Sequence, residues 1–410
     1  MASGEPSRAP SGRAALSAVL TATFFVRFAF GITVVVFASY LAGRSTGLTG
    51  TDVGTAGFVS ALAPVGEFST VLLSGAAADR WGRFPVLFAG MGAAAVLFLG
   101  IATTRAVPAL GAANLAFGVA SGAILAASLA VIADRAAVDA RGYEMGRFDA
   151  MNLFGWIAGF AFGLAVEGAL PNRELGFVFV AGAGAIALGL GLGGSLARGL
   201  LGPPEVPAFD LRKVLRSAVR APVLVVTLPW LAIYSLLGTA LVFLGPAAQG
   251  VGIRPGYLAI AIGAGGALLV LSQPYFGRLA DRAGRTRMMT VGAGGFVLVL
   301  VCASLLARYG VSVPLLVGVG VGVAAALTYG PAALAALADL AIAQGRATTM
   351  AIYSLTISLG MSVGLLASTG LYGRFGTVGL YPYFAAIAAV LVGLTVARWL
   401  EASRARIPVR

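Results

Sequence analysis

Arg27 and Glu67 stand out as ionisable side chains deep within long apolar runs, Arg27 in Ala14–Leu41 and Glu67 in Val53–Ala77. A charge near the centre of a bilayer costs about 3 kcal/mol or more, so it normally faces a cavity or an opposite charge. Two functional readings fit these types and places: Glu67 as a proton site, or Arg27 as the holder of an anionic substrate. A third is structural, an ion pair that ties the first two runs together. Pro64 and Gly66, just before Glu67, loosen the local backbone and admit water. Asn152, Tyr234, Gln273, Tyr329 and Tyr353 add hydrogen-bonding groups within or at the ends of other apolar runs. They join Arg27 and Glu67 as candidate coupling or substrate contacts, although taken singly such groups more often bond helix to helix. The second half of the chain offers no deep charge, which favours coupling through the first half and a substrate that is mainly apolar or uncharged.

Other chemistries are excluded by what is missing. Histidine is absent and Cys302 is the one cysteine, so zinc sites, disulfides and Cys–His or Ser–His catalysis are closed off. With no metal-ligand cluster and no second deep carboxylate beside Glu67, an enzyme is not expected, and no cofactor is implied. The glycine-rich stretch Gly189–Gly194 lies mid-run with no strand before it, so it reads as helix packing rather than phosphate binding. No P-loop occurs that would mark an ATP-driven pump. The net charge of +13 comes from cations scattered over short loops, which argues against a nucleic-acid partner.

These residues must be positioned by membrane helices. The 410 residues are 59% hydrophobic and 10% charged, whereas soluble domains carry about a quarter charged residues. Twelve apolar runs can be traced, each close to the roughly 20 residues that span a bilayer. The first six are Ala14–Leu41, Val53–Ala77, Phe84–Thr103, Ala106–Val131, Met151–Val166 and Leu175–Leu196. The rest are Pro222–Ala247, Gly256–Tyr275, Met288–Leu306, Val311–Leu337, Thr348–Leu371 and Val378–Val396. The expected organisation is a tail over 1–13, a six-helix bundle over 14–197, a linker over 198–221, a second bundle over 222–397 and a tail over 398–410. An even number of spans puts both termini on one side. Of the 28 Lys and Arg, twenty-one fall in the tails and even-numbered loops and six in the odd-numbered loops, which makes both termini cytoplasmic. The basic linker follows the same rule, and the lipid bilayer is the one macroscopic partner implied.

The chain is also a duplication. Gly75, Asp79, Arg80, Gly82 and Arg83 return at one spacing as Gly277, Asp281, Arg282, Gly284 and Arg285. Both copies occupy the turn between one apolar run and the next. A second repeat places Asp134 before Arg141 and Asp339 before Arg346, with six residues between in each case. The glycines permit a tight turn and close helix approach, and a carboxylate with guanidinium groups at the membrane edge can latch helices in one conformation and release them in another. The alternative is a static topological anchor.

These paired motifs resemble the loop 2–3 and loop 8–9 elements of the major facilitator superfamily of secondary transporters. The resemblance implies an all-α membrane protein of twelve transmembrane helices in two six-helix bundles, rocking about a central cavity between segments one, four, seven and ten. It further implies a charge relay joining Asp79, Arg83, Asp134 and Arg141, with Asp281, Arg285, Asp339 and Arg346 as its second copy. Departures narrow the substrate. Asn114 stands before Gly118 where many proton-coupled members carry arginine. The fifth run has a ladder of Gly155, Gly159 and Gly163 but lacks the Gly-Pro end of exporters. Sugar-porter and peptide-symporter signatures are missing.

The resulting expectation is a monomeric, multi-pass plasma-membrane transporter of a small organic molecule, proton-coupled, with export ahead of uptake. An organic anion or carboxylate carrier using Arg27 is the alternative within transport. From another class, a receptor or scaffold that kept the fold would be expected to have decayed loop motifs. Topology is directly testable. A cysteine at Thr46 should react with an impermeant thiol reagent from outside the cell and one at Glu205 should not; the reverse labelling overturns the arginine count.

Overall fold

A computed structural model describes residues 11–44, 53–104, 106–135, 141–171, 174–197, 216, 219–250, 255–309, 312–333, 336–337 and 346–404. Twelve α-helices of 14 residues or more account for most of these residues. They are α1 (Ser11–Arg44), α2 (Val53–Trp81), α3 (Arg83–Thr103), α4 (Val107–Arg135), α5 (Arg141–Ala169) and α6 (Gly176–Leu196) in the first half. The second half contributes α7 (Ala221–Gly250), α8 (Pro255–Ala283), α9 (Arg285–Tyr309), α10 (Val313–Ala326), α11 (Arg346–Phe375) and α12 (Leu380–Arg404). Ten spans are long and apolar enough to cross a membrane, and shorter apolar stretches, Gly263–Gln273 and Leu380–Gly393, lie in α8 and α12. Helices are the required solution, because in hydrocarbon every backbone polar group must find its partner within the segment.

Helix contacts follow the glycines. In the first half α1 packs against α5 and α6, and α2 against α4. A Cβ at Gly155 or Gly159 of α5 would fall 2.5 or 2.1 Å from the carbonyl oxygens of Phe24 and Phe28 in α1. The second half repeats this seam: Gly360 and Gly364 of α11 lie against the carbonyls of Leu231 and Ser235 in α7. Without side chains at these points the backbones meet directly, and this van der Waals fit holds membrane helices together where lipid removes the hydrophobic drive.

The α2–α4 seam is not duplicated. Gly118 of α4 sits against Ala63, and Gly66 of α2 against Leu115. The loop repeats align Gly66 with Leu268 and Gly118 with Val323, bulky residues that are both exposed. Among the described residues α10 packs chiefly on α9, while α8 packs across the halves on α5. The halves also meet through α2 with α11, the most extensive contact between them, and more narrowly through α4 with α11 and α1 with α7. At the arginine-poor end the α2–α11 contact is tight, with Gly57 against the side chain of Thr369.

The proline in α2 lies beside a side-chain bond from α4. Pro64 has no N–H to give to the helix carbonyl four residues back. The Asn114 side-chain amide of α4 donates to Val59 O at 2.7 Å and reaches Ser60 O at 3.5 Å. The residue that departs from the family's arginine thus ties α4 to the α2 backbone one turn before Pro64.

The seam gives a paired prediction. Gly159→Ala should overpack α1 and α5 and destabilise the protein by about 1–3 kcal/mol. Gly75→Ala, whose Cβ would meet nothing within 4 Å, should stay within about 0.5 kcal/mol of the parent. Thermal unfolding in detergent compares them, and equal midpoints would refute the close-packing account.

Candidate functional site

Arg27 and Glu67 meet at the centre of the first half, 5% and 2% exposed, with Arg27 Nη1 3.4 Å from Glu67 Oε2. Four other helices or turns of helix complete the pair. Arg27 Nε donates to Asn152 Oδ1 of α5 at 2.7 Å, and the guanidinium lies 5.6 Å from the Phe30 ring centre. Ser121 of α4 donates to Glu67 Oε2 at 2.7 Å. Ser358 of α11 donates to Glu67 Oε1, also at 2.7 Å, so one carboxylate oxygen faces each half of the molecule. Arg27 Nη2 has no hydrogen-bond partner among the described residues. A buried ion pair is tolerated when its remaining donors and acceptors are met by hydrogen bonds, and Asn152, Ser121 and Ser358 supply most of them.

A cavity of about 30 Å³ adjoins this cluster between the halves. Arg27, Glu67, Asn152, Tyr234 and Ser358 give it polar walls, and Phe30, Trp156, Leu237 and Met361 apolar ones. About 10–15 Å³ of such space holds one water, so the cavity has room for water-sized contents. A smaller void of about 10 Å³ lies on the other side of Arg27, next to the buried and unpartnered Thr23 hydroxyl. The walls of the larger cavity come from α1, α2, α5, α7 and α11, and α4 borders the smaller void through Ser121, Ile124 and Leu125.

One turn below the cavity, toward the arginine-rich end, lies a second polar contact that the sequence reading did not contain. Tyr353 of α11 donates to Asp149 Oδ1 of α5 at 2.7 Å, and Asp149 is buried. Arg27 and Glu67 are therefore not the only deep ionisable groups. The apolar run was begun at Met151, whereas α5 starts at Arg141 and carries Asp149 inward, one turn before Asn152 on the same face. Ser121 and Ser358 were also passed over. The four-residue spacing of Ser354, Ser358 and Ser362, one polar stripe on α11, was the available signal for Ser358.

The remaining candidates separate. Tyr234 lines the cavity and stands in α7 where the glycine seam places Arg27 in α1. Tyr329 is buried and donates to Val226 O of α7 at 3.1 Å, a helix-to-helix bond. Gln273 lies beside Gly330 and does not line the cavity.

At the repeated loops, Arg83 Nε reaches Asp134 Oδ2 at 3.2 Å, linking α3 to α4. Gly82 and Gly284 take φ of 98° and 93°, a left-handed conformation suited to glycine, at matching points of the two copies. Gly75 and Gly277 make no close helix approach: a Cβ at Gly75 would meet nothing within 4 Å, and one at Gly277 would meet only Pro331 at 4.0 Å. Arg80 and Arg282 are exposed, and Arg285 is partly buried. The side chains of Asp79, Arg141, Asp281 and Arg346, and all of Asp339, lie outside the described residues.

No curated protein matches the chain significantly. Similar solved structures include the human organic anion transporter MFSD10 (TETRAN), with a TM-score of 0.69, 18% identity and coverage of 94% of this chain and 100% of that one. Another is the peptide transporter POT in complex with sulfate, with a TM-score of 0.72, 15% identity and coverage of 95% and 94%. At such identities the likeness is one of fold. The sequence profile of the Major Facilitator Superfamily matches residues 19–330 and 234–409. Family profile, helix order and paired loop turns agree, and the chain belongs to the Major Facilitator Superfamily of membrane transporters.

Proposed function

We propose that this protein moves a small, largely apolar organic solute across the plasma membrane by alternating access, coupled to protons through Glu67, with export ahead of uptake. The observation that carries this reading is the Glu67 carboxylate. One oxygen is held by Arg27 and Ser121 in the first half and the other by Ser358 in the second. A proton on Glu67 weakens its hold on Arg27 and changes the bond to Ser358, so protonation and separation of the halves are coupled at one group. The cavity beside it is mostly apolar, with polar groups concentrated around the ion pair, the pattern of a site that orients an organic solute by a few polar contacts.

A second reading, carriage of an organic anion on Arg27, draws support from Arg27 lining both voids with Nη2 unpartnered among the described residues. An anion there would leave Glu67 needing a proton for charge balance. The two readings therefore differ in the substrate's charge but share the coupling group.

A thermal-shift ligand screen on purified protein identifies a substrate, since binding stabilises the folded state by mass action. Glu67→Gln strands the buried Arg27 cation and should destabilise the protein by about 3–5 kcal/mol. Arg27→Gln combined with Glu67→Gln should recover much of that loss. In proteoliposomes the double variant should lose pH-gradient-driven accumulation while exchange or downhill flux survives; full accumulation rules out Glu67 as the coupling group.

The loop repeats act in the same cycle as conformational latches. Asp79→Asn should leave folding and insertion intact but slow or bias the cycle, because it removes a carboxylate needed in only one state. Asp281→Asn should have a related, smaller effect. Transport by both at the parent rate would leave the loops as topological anchors only.

A further inference from the structure

Asp149 is a buried carboxyl group for which neither the coupling scheme nor the loop latches have a use. Its one hydrogen bond among the described residues comes from the Tyr353 hydroxyl across the interface between the halves. The groups facing it can be named from each neighbouring helix. From α11 comes Tyr353 and from α7 Tyr234, with Arg27 of α1 beyond Tyr234. On α8, Arg278 and Arg282 are exposed. On α4, Asp134 pairs with Arg83, and on α5 itself Arg147 pairs with Glu144. No described cation lies within ion-pair distance of Asp149. An uncompensated charge at such a place is costly, in contrast to Glu67, whose charge is matched by Arg27.

The position gives this carboxyl a task. Asp149 lies one turn from Asn152, and Tyr353 one turn from Ile357, both of which line the central cavity. Trp230 packs its ring 4.8 Å from that of Tyr353 and 6.4 Å from that of Tyr234. Asp149, Tyr353 and Trp230 thus form a floor between the cavity and the arginine-rich end of the bundle, the end that the charge count assigns to the cytoplasm.

We propose that Asp149 is a second proton-binding site and that, with Tyr353, it gates the cavity on the cytoplasmic side, shut when the carboxyl carries a proton and open when it is ionised. In the shut state a neutral carboxyl keeps its bond to the Tyr353 hydroxyl at no charge cost. Loss of the proton to cytoplasmic water leaves a carboxylate with one hydrogen bond and no cation beside it among the described residues. Drawing α5 and α11 apart lets water solvate it, which opens the floor. The gate binds its proton separately from Glu67, so it stands or falls apart from the coupling scheme.

The test needs no substrate. With Cys302 replaced by alanine, Ile357→Cys places a thiol just above the floor. Inside-out membrane vesicles are treated with an impermeant maleimide across the pH range. Labelling is expressed relative to a cysteine at exposed Val219, which removes the reagent's own pH dependence. Relative labelling should rise with pH by up to about tenfold per unit, the limit for one linked proton. Asp149→Asn, a neutral isostere, should label slowly with no pH dependence. Tyr353→Phe removes the closing bond and should label faster than the parent at low pH. A parent without pH dependence, or an Asp149→Asn variant that keeps the parent's response, overturns the proposal. If Asp149→Asn does not fold, Tyr353→Phe decides alone: labelling at low pH no faster than the parent's also overturns it.

Discussion

Two opposite charges held within a hydrocarbon slab cannot be separated cheaply, and Arg27 and Glu67 impose that condition on everything around them. They sit on neighbouring helices, so α1 and α2 must stay in a fixed register at this level. The donors and acceptors they leave over recruit α4 through Ser121, α5 through Asn152 and α11 through Ser358. Such a convergence requires backbones that approach one another closely. The first half provides this through Gly155 and Gly159 against α1, and through Gly66 and Gly118 between α2 and α4. Pro64 lies one turn from Glu67, and Asn114 of α4 ties down the α2 backbone just before it. The polar centre and the small-residue seams are one arrangement.

The duplication that built the chain is preserved in its frame and lost in its centre. Gly360 and Gly364 repeat the seam of α5 on α1, and Gly82 and Gly284 repeat the left-handed turn. In the register of those repeats Tyr234 replaces Arg27 and Leu269 replaces Glu67, so the buried pair of the first half has no counterpart at these positions of the second. Leu268 and Val323 in place of two glycines keep α8 and α10 from copying the α2–α4 contact, and α8 packs instead against α5 of the other half. The halves are thereby unequal: one carries the charged centre, and the other supplies α11, whose Ser358 and Tyr353 reach across to both buried carboxyl groups.

The hydrogen bonds at Glu67 and Asp149 across the interface each join a carboxyl group of the first half to a hydroxyl of the second. Hydrogen bonds of this kind are short-ranged and directional, and their strength changes when the carboxyl gains a proton. That suits an interface that must part and re-form: the Arg27–Glu67 ion pair stays inside one half, and at Glu67 and Asp149 neutral hydroxyl donors reach across.

How much of this was legible in the sequence depended on the range of the interaction. Membrane helices, duplication and loop turns are local or periodic features, fixed by the length of an apolar run, the φ that glycine allows and the repetition of a motif. Arg27 and Glu67 were legible too, because a charge in an apolar run is improbable unless something compensates it. Asp149 was not, since it stands close to Glu144 and Arg147, where a polar helix end is the ordinary reading; only the fold shows that the α5 chain has already turned inward there. The partners of Glu67 were equally hidden. Serine is common in membrane helices, and nothing short of the packing of α2 against α4 and α11 distinguishes Ser121 and Ser358 from the rest. Composition and spacing determined which segments cross the membrane and which charges need partners. The tertiary structure decided which helices wall the cavity, because that choice rests on where two backbones can approach, as at Gly118 against Ala63, and such positions meet only once the chain is folded.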